Sequence, residues 1–380
     1  MLIYACVSGH GFGHGSRTAS VLIALRALRP DWHLVVSSTL PEAFLTTALE
    51  AARAIPGAGR IGRRLCRWDV GVVQADALGA DAPATLVALE ALERQLSATL
   101  AAEVAWLSDQ GEAVLVLADV PPAAAQLARA LGAPLAWLAN FGWEAIYGAM
   151  GPAFAPWAEA ALGLYRQGDL LLRCPLAMPM DWDLPALALG LTCGTPHLDA
   201  GALRRQLGLP EDPGRCVLVS FGGLGFQLDP QVFATWGEHE FVVADPGFDP
   251  AAAPANVRAL PAGVRPLELM PLCDRLITKP GYSSFCEALS QDVGLHVVRR
   301  EGFAEAAVLE RALVHHGRHR LLSQTQLQRG DWQLDQPLLA PSGPRLQNDG
   351  SAQAAKALVA LASGQPAMLI GTGTVGLSSD

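Results

Sequence analysis

Short apolar runs alternate along the chain with longer stretches of helical period. Leu2–Val7, His33–Ser37, Val114–Ala118, Leu135–Leu138 and Leu170–Leu172 read as buried strands. Ser16–Leu28 and Pro83–Leu107 read as helices, the second with Leu86, Leu89, Leu92, Leu96, Leu100 and Val104 at helical spacing. A further helix is expected to start at Pro121, after the strand that ends in Asp119. From about Cys174 to Gly214 the pattern dissolves into prolines, glycines and short polar pieces, the composition of a linker. A second series follows, with Val217–Ser220, Phe241–Ala244, Asp274–Thr278 and Leu295–Val298 as strands and Gly281–Leu289 as a helix. Strands alternating with helices imply parallel, doubly wound sheets, so the fold class is α/β with two such domains in tandem. The expected division is a first domain over 1–175, a linker over 176–213 and a second domain over 214–348. A C-terminal helix over 349–364 and a loose tail rich in Gly, Ser and Thr over 365–380 complete the chain.

At 380 residues the chain is long for a single core. Its 51% apolar and 17% charged residues describe a packed, soluble protein rather than a disordered one. No uncharged apolar stretch reaches the roughly 18 residues that cross a bilayer, so no transmembrane segment is expected. The N-terminus reads as a first strand rather than a signal peptide. Seven cysteines without a Cys-x-x-Cys pair argue against a disulfide framework and a zinc site, and the expected compartment is the cytoplasm. A net charge of −9 speaks against bulk nucleic-acid binding. The cations are 25 Arg and only two Lys, Lys279 and Lys356, a bias of genome composition that singles out each lysine retained.

The most concentrated candidate chemistry is Ser8-Gly9-His10-Gly11-Phe12-Gly13-His14-Gly15-Ser16-Arg17, directly after the first strand. Glycines such as Gly11 and Gly13 let a backbone approach a bound group, and the helix that follows offers unpaired N–H groups at its start. A dinucleotide fingerprint fails here: His14 or Ser16 stands where the third glycine belongs, and the second strand ends Ser37-Ser38-Thr39 without an acid for a ribose. The Gly-x-x-x-x-Gly-Lys-Ser/Thr pattern of phosphate-binding loops is absent.

The second domain carries a glycine turn, Ser220-Phe221-Gly222-Gly223-Leu224-Gly225, and a more specific run, Asp274 to Leu289. A buried strand enters the turn Lys279-Pro280-Gly281, and the helix behind it starts with Tyr282, Ser283 and Ser284. Hydroxyls and free N–H groups in a first helical turn suit a diphosphate. Glu287, about one and a half turns in, is placed to accept hydrogen bonds from both hydroxyls of a ribose, and Lys279 stands where a phosphate would lie.

These motifs resemble those of the GT-B glycosyltransferases, and among them the transferases that add N-acetylglucosamine in peptidoglycan assembly. A closer resemblance is to the glycosyltransferase-like N-terminal region of L-arabinokinases and their bacterial stand-alone relatives. It is carried by Gly9 to His14, Gly71 to Leu78, Asn140-Phe141-Gly142-Trp143 with Ile146-Tyr147, Phe221-Gly222-Gly223 and Lys279 to Leu289, and spans most of residues 1–360. It implies two Rossmann-like domains with the active cleft between them. The chain leaves no room for the sugar-kinase domain of arabinokinases, so kinase activity is not implied.

By this resemblance the second domain takes a nucleoside-diphosphate sugar: Gly222, Gly223, Lys279, Gly281, Ser283 and Ser284 at the diphosphate, Glu287 at the ribose. His14 matches the histidine after the first glycine loop of the peptidoglycan enzymes. It is the candidate general base, since an imidazole titrates near neutral pH; the alternative for it is to neutralise the diphosphate, and His10 suits either task. Glu305 matches the segment that meets the donor sugar, where Ala304, Ala306 and Ala307 depart from the Asn-Glu-Glu-Pro run expected of the arabinokinase-like members.

Gln74, Asp76 and Asp119 stand near strand ends of the first domain and are expected to face the acceptor. Asn140 and Trp143 are candidates for the cleft wall, and Arg17 for an anion contact or for capping the loop. No metal or other cofactor is expected: Asp181-Trp182-Asp183 spells an Asp-x-Asp triplet but sits in the linker, where it reads as a turn with two solvated acids. His315, His316 and His319, beside Arg318 and Arg320, read as solvated histidines at a helix end.

The expected function is therefore metal-independent transfer of a sugar, hexosyl or pentosyl, from a nucleoside-diphosphate sugar to an unidentified acceptor hydroxyl. The alternatives are a non-catalytic nucleotide-sugar-binding or regulatory module, and a sugar-nucleotide epimerase or hydrolase on the same fold.

Overall fold

The computed structural model describes residues 1–74, 79–222, 228–245, 247–300 and 302–365. Seven parallel strands form the first sheet: β1 (Leu2–Val7), β2 (His33–Ser37), β3 (Ile61–Arg64), β4 (Val114–Asp119), β5 (Leu135–Ala139), β6 (Leu170–Arg173) and β7 (Ala186–Ala188). Their spatial order is β3-β2-β1-β4-β5-β6-β7. Six parallel strands form the second: β8 (Cys216–Val219), β9 (Glu240–Val243), β10 (Val257–Ala259), β11 (Arg275–Thr278), β12 (Gly294–Val298) and β13 (His319–Leu322), in the order β10-β9-β8-β11-β12-β13. The expected α/β class with two tandem doubly wound, Rossmann-like sheets is what the chain adopts.

In each sheet the strand order reverses beside the first strand, between β1 and β4 and between β8 and β11. Such switch points open a crevice beyond the carboxyl ends of the strands, which is where ligands of open α/β sheets bind. The helices bearing on these crevices are α1 (Phe12–Leu28), α2 (Ala82–Asp109), α3 (Trp143–Ala149), α4 (Tyr282–Ser290), α5 (Ala304–His316) and α6 (Gly350–Ala362).

β1 is buried along its whole length because helices cover both faces of the sheet. Its residues alternate between two cores. Leu2, Tyr4 and Cys6 face an aromatic-rich cluster with Trp68, Trp137 and Trp143. Ile3, Ala5 and Val7 face a core that continues through α1 into Leu218, Leu276 and Phe285 of the second domain and into α6. That helix returns to the first domain: Ala354, Ala355 and Leu358 are fully buried, and the Ser351 and Ser20 hydroxyls hydrogen-bond at 2.8 Å. The two sheets thus share one apolar core.

The segment expected to be a linker is partly folded onto the first sheet. β7 pairs in parallel with β6, and Leu189, Leu191 and Cys193 beyond it are buried. Three residues, Ala-Leu-Ala, are too few to announce a strand among prolines. The C-terminal helix covers 350–362, and 366–380 of the expected tail lie outside the described residues. All seven cysteines are buried thiols. Among the described residues no helix is long and apolar enough to cross a membrane.

Candidate functional site

The first switch point places the loop after β1 beside the end of β4, where Val7 and Asp119 are register partners. α1 begins at Phe12 behind Gly11, which is extended and supplies no capping side chain, so His14 sits in a first turn with free N–H groups. Asp119 is fully buried and its Oδ1 lies 2.8 Å from His14 Nδ1. A carboxylate only accepts, so His14 carries its proton on Nδ1 and Nε2 keeps its lone pair, without a partner among the described residues. Behind Asp119 the backbone is strained. Val120, a β-branched residue, has φ +68°, and its carbonyl accepts from the Tyr165 hydroxyl at 2.6 Å.

Asp119 was expected to face the acceptor, but it is turned inward. Besides His14 it takes Nε of Arg17 at 2.9 Å, Nη2 of Arg17, and the Thr18 hydroxyl at 2.9 Å. Burial alone would raise its carboxyl, but the Arg17 guanidinium and the His14 ring outweigh burial and hold it below the usual carboxylate range. Arg17, expected to bind an anion or cap the loop, is buried to 1% exposure, so its anion is Asp119. Its Nη1 donates to Asn140 Oδ1 at 2.5 Å, and Asn140 Nδ2 donates to Glu305 Oε1 at 2.7 Å. Glu305, on the first turn of α5, is buried, and its carboxyl stands above the ordinary range because burial outweighs Asn140, His14, Arg17 and Arg300.

The domains also meet at the starts of α1 and α4. The Ser283 hydroxyl donates to the Gly13 carbonyl at 2.8 Å, and the Arg17 guanidinium lies over the Tyr282 ring, 4.7 Å from its centroid. A Cβ at Gly13 would come within 3.1 Å of the Ser283 hydroxyl, so a larger residue there would push on this contact. Like α1, α4 starts behind a glycine, Gly281, without a capping side chain. Two helix starts with unsatisfied N–H groups therefore face one crevice.

His10 forms a second layer. Its Nδ1 accepts from the Val72 N–H at 3.3 Å, and its Nε2 lies 3.5 Å from the Gln74 amide. Gly71 has φ +68°, and a Cβ there would fall 2.5 Å from His10 Nδ1. The His10 ring meets Trp143 edge-on at 5.3 Å and stacks on Phe303 at 6.3 Å, and the Arg300 guanidinium lies over the Phe303 ring at 4.3 Å. Burial, with the charges of His14, Arg300 and Lys279 adding to it, pushes the imidazole of His10 down to about 3. It is a neutral ring at neutral pH.

Asn140 and Trp143 do not line an open wall, since both are fully buried. Trp143 instead supports the two histidines and donates Nε1 to Asp69 at 2.8 Å. Asp76 and Gly223 lie outside the described residues.

At the second switch point Gly222 follows β8 with φ +80°, and Lys279 stands half-buried at the tip of β11. Ser284 and Glu287 follow on α4, both half-buried. The Glu287 carboxylate has no hydrogen-bond partner among the described residues. Burial raises it to about 7, with Glu268 adding and Arg265 opposing.

Away from the crevice, Asp181 and Asp183 are exposed on either side of buried Trp182, and Asp183 lies 3.4 Å from Arg166. His315 and His316 end α5 and contact the Ser342 hydroxyl and the Pro344 carbonyl, while His319 is buried at the start of β13. A hollow of about 380 Å³ lined by Met1, Glu112, Leu131 and Ala362 opens at the opposite, amino end of the first sheet.

Tyr282, Phe303 and Asp69 are site residues that the sequence did not announce. The only available signal was for Tyr282 and Phe303, as aromatic residues placed at helix starts.

No family model matches the chain. Among solved structures the fold recurs in glycosyltransferases. UGT89C1 of Arabidopsis thaliana, solved with UDP-L-rhamnose, aligns with TM-score 0.61 at 12% identity over 96% of each chain. UGT2 of Phytolacca americana, solved with UDP-2-fluoro-glucose and pterostilbene, aligns with TM-score 0.60 at 15% identity, over 95% of this chain and 94% of that one. SnogD from Streptomyces nogalater aligns with TM-score 0.56 at 20% identity, over 95% and 99%. The chain thus has the two-domain GT-B fold of these enzymes.

In sequence it is similar to the L-arabinokinase of Arabidopsis thaliana, 28% identical over 320 residues that make up 81% of this chain. It spans only 29% of the length of that protein. The resemblances to the GT-B glycosyltransferases and to L-arabinokinase read from the motifs are borne out.

Proposed function

We propose that the protein is a glycosyltransferase that moves a sugar from a nucleoside diphosphate to an acceptor hydroxyl. The observation that carries this reading is the meeting of two uncapped helix starts, at Gly13 and Ser283, beside a His14–Asp119 pair whose Nε2 is free. The N–H groups of both helix starts, with Ser284 and Lys279, suit a diphosphate, and Glu287 suits a ribose. His14 Nε2 takes the proton of the acceptor hydroxyl as its oxygen bonds to the anomeric carbon. The bond from that carbon to the phosphate oxygen breaks, and its electron pair leaves on the diphosphate. Asp119 holds the tautomer and balances the imidazolium. His10, neutral and engaged with Val72, holds the loop at 71–74 in place. The helix ends and Lys279 take the role a divalent cation would have, so turnover persists in EDTA.

The test is release of nucleoside diphosphate from a panel of UDP, GDP, TDP and ADP sugars with mixed acceptor alcohols. Release with transfer supports the reading; tight binding with no release supports the binding-module alternative, which Ala304, Ala306 and Ala307 favour by offering no polar groups to a sugar.

Glu287 gives a separate expectation. Glu287→Ala weakens nucleotide binding by about 1–3 kcal/mol, the scale of a lost charged hydrogen bond. The ribose hydroxyls donate, so the ionised carboxylate is the binding form. With its carboxyl at about 7, nucleotide affinity rises as pH climbs through 7 and levels off above it. Calorimetry at pH 6, 7 and 8 checks both points; wild-type affinity or an unchanged pH slope in the variant removes the assignment.

A further inference from the structure

We propose that Arg17 is a positioning residue serving both substrates' sides at once: it fixes Asp119, and through it His14, and it fixes Asn140, and through it Glu305. What His14 and Glu305 do rests on the transferase reading; how they are held does not.

Arg17 spends every face of its guanidinium inside the joint between the domains. Nε and Nη2 form a fork onto the two Asp119 oxygens, a geometry that only arginine supplies. Nη1 goes to Asn140 Oδ1 at 2.5 Å, and the guanidinium carbon lies over the Tyr282 ring of the second domain. Because Arg17 can only donate, the Asn140 oxygen must face it, and the Asn140 amide is thereby turned toward Glu305. One buried cation thus orients an acid on each side of the crevice. A buried ion pair is weak evidence of added stability, since desolvation offsets the attraction; orientation is what this arrangement supplies.

Arg17 also sets charge at His14. Its Nη2 lies 3.4 Å from His14 Nδ1, and it cancels the charge of Asp119, the carboxylate in contact with the ring. The other titratable groups around His14 are His10 on the same loop, Asp69 beyond Trp143, and Glu305 from α5. Those around Glu305 are His14, Arg17 and Arg300. With Arg17 removed, Asp119 faces His14 uncancelled and favours the imidazolium, while Glu305 loses a nearby cation and a fixed donor and favours its neutral acid.

The experiment is NMR of the ligand-free protein with labelled histidine rings and glutamate carboxyls, the two signals assigned with His14→Gln and Glu305→Gln. In Arg17→Met both groups take up their protons at higher pH than in the parent, by about one unit or more, a tenfold change in proton affinity. Arg17→Lys restores the cation and returns His14 toward the parent, while Glu305, regaining the cation but not the oriented Asn140 donor, returns only part of the way. Should Arg17→Met not fold, Asn140→Ala carries the test: Glu305 moves and His14 does not. Parental titration of both groups in these variants would reduce Arg17 to packing and overturn the proposal. Absence of turnover with every nucleotide sugar would sink the transferase reading and leave these titrations unaffected.

Discussion

His14→Ala is expected to cut turnover roughly a hundredfold or more while nucleoside diphosphate affinity stays within about twofold of the parent. The asymmetry follows from position. His14 is held by Asp119 at Nδ1 and presents only Nε2, the atom that takes the acceptor proton in the proposed reaction. In the proposed reading, donor binding falls instead to Lys279, Ser284 and Glu287 on the other domain. Steady-state rates with calorimetry on the same variant separate the two effects. A fully active His14→Ala protein would end the assignment, and a variant that loses nucleotide affinity in proportion to rate would make His14 a diphosphate ligand instead.

The second large effect is on stability. Asp119→Ala leaves the Arg17 cation buried to 1% exposure with no carboxylate, and breaking a buried pair from one side costs about 3–5 kcal/mol. Asp119→Asn keeps the shape and one acceptor oxygen, so it should fold better yet still lose most turnover, because the His14 tautomer is no longer enforced. Urea unfolding of both variants, with rates for the second, checks this. The pH dependence has a definite sign: the Asp119 carboxyl is depressed in the folded state. Its contribution is therefore present above the ordinary carboxylate range and lost as pH falls through the lower, folded-state value. Parental stability in Asp119→Ala would mean that Arg17 finds another partner and that the Arg17–Asp119 pair is not built as described.

Much of the framework was legible in the sequence because buried parallel strands are continuous apolar runs. Leu2–Val7 and His33–Ser37 are strands over those residues, and the glycine loop and Lys279 to Leu289 sit at the two switch points. What escaped were short or outer strands. Ile61–Arg64, Ala186–Ala188, Val257–Ala259 and His319–Leu322 carry too few apolar residues to stand out from loops. Within the site, residue types were readable but partners were not. Asp119 and Asn140 stood at strand ends, as α/β sites require, yet nothing local reveals that one turns under His14, 105 positions away, and the other reaches Glu305, 165 positions away. Arg17 looked like a loop cap because its partners, Asp119 and Asn140, come from other strands.

The central claim is that the crevice between the two switch points holds a nucleoside diphosphate. The most direct test is a thermal-shift panel of UDP, GDP, ADP, TDP, CDP and NAD against the wild-type protein, with Glu287→Ala and His14→Ala alongside. A ligand at about 100 times its dissociation constant adds about 2.7 kcal/mol, worth several degrees. The account predicts that one diphosphate raises the melting temperature of the wild-type and His14→Ala proteins and much less that of Glu287→Ala. A flat panel, or a shift by NAD alone, would contradict it.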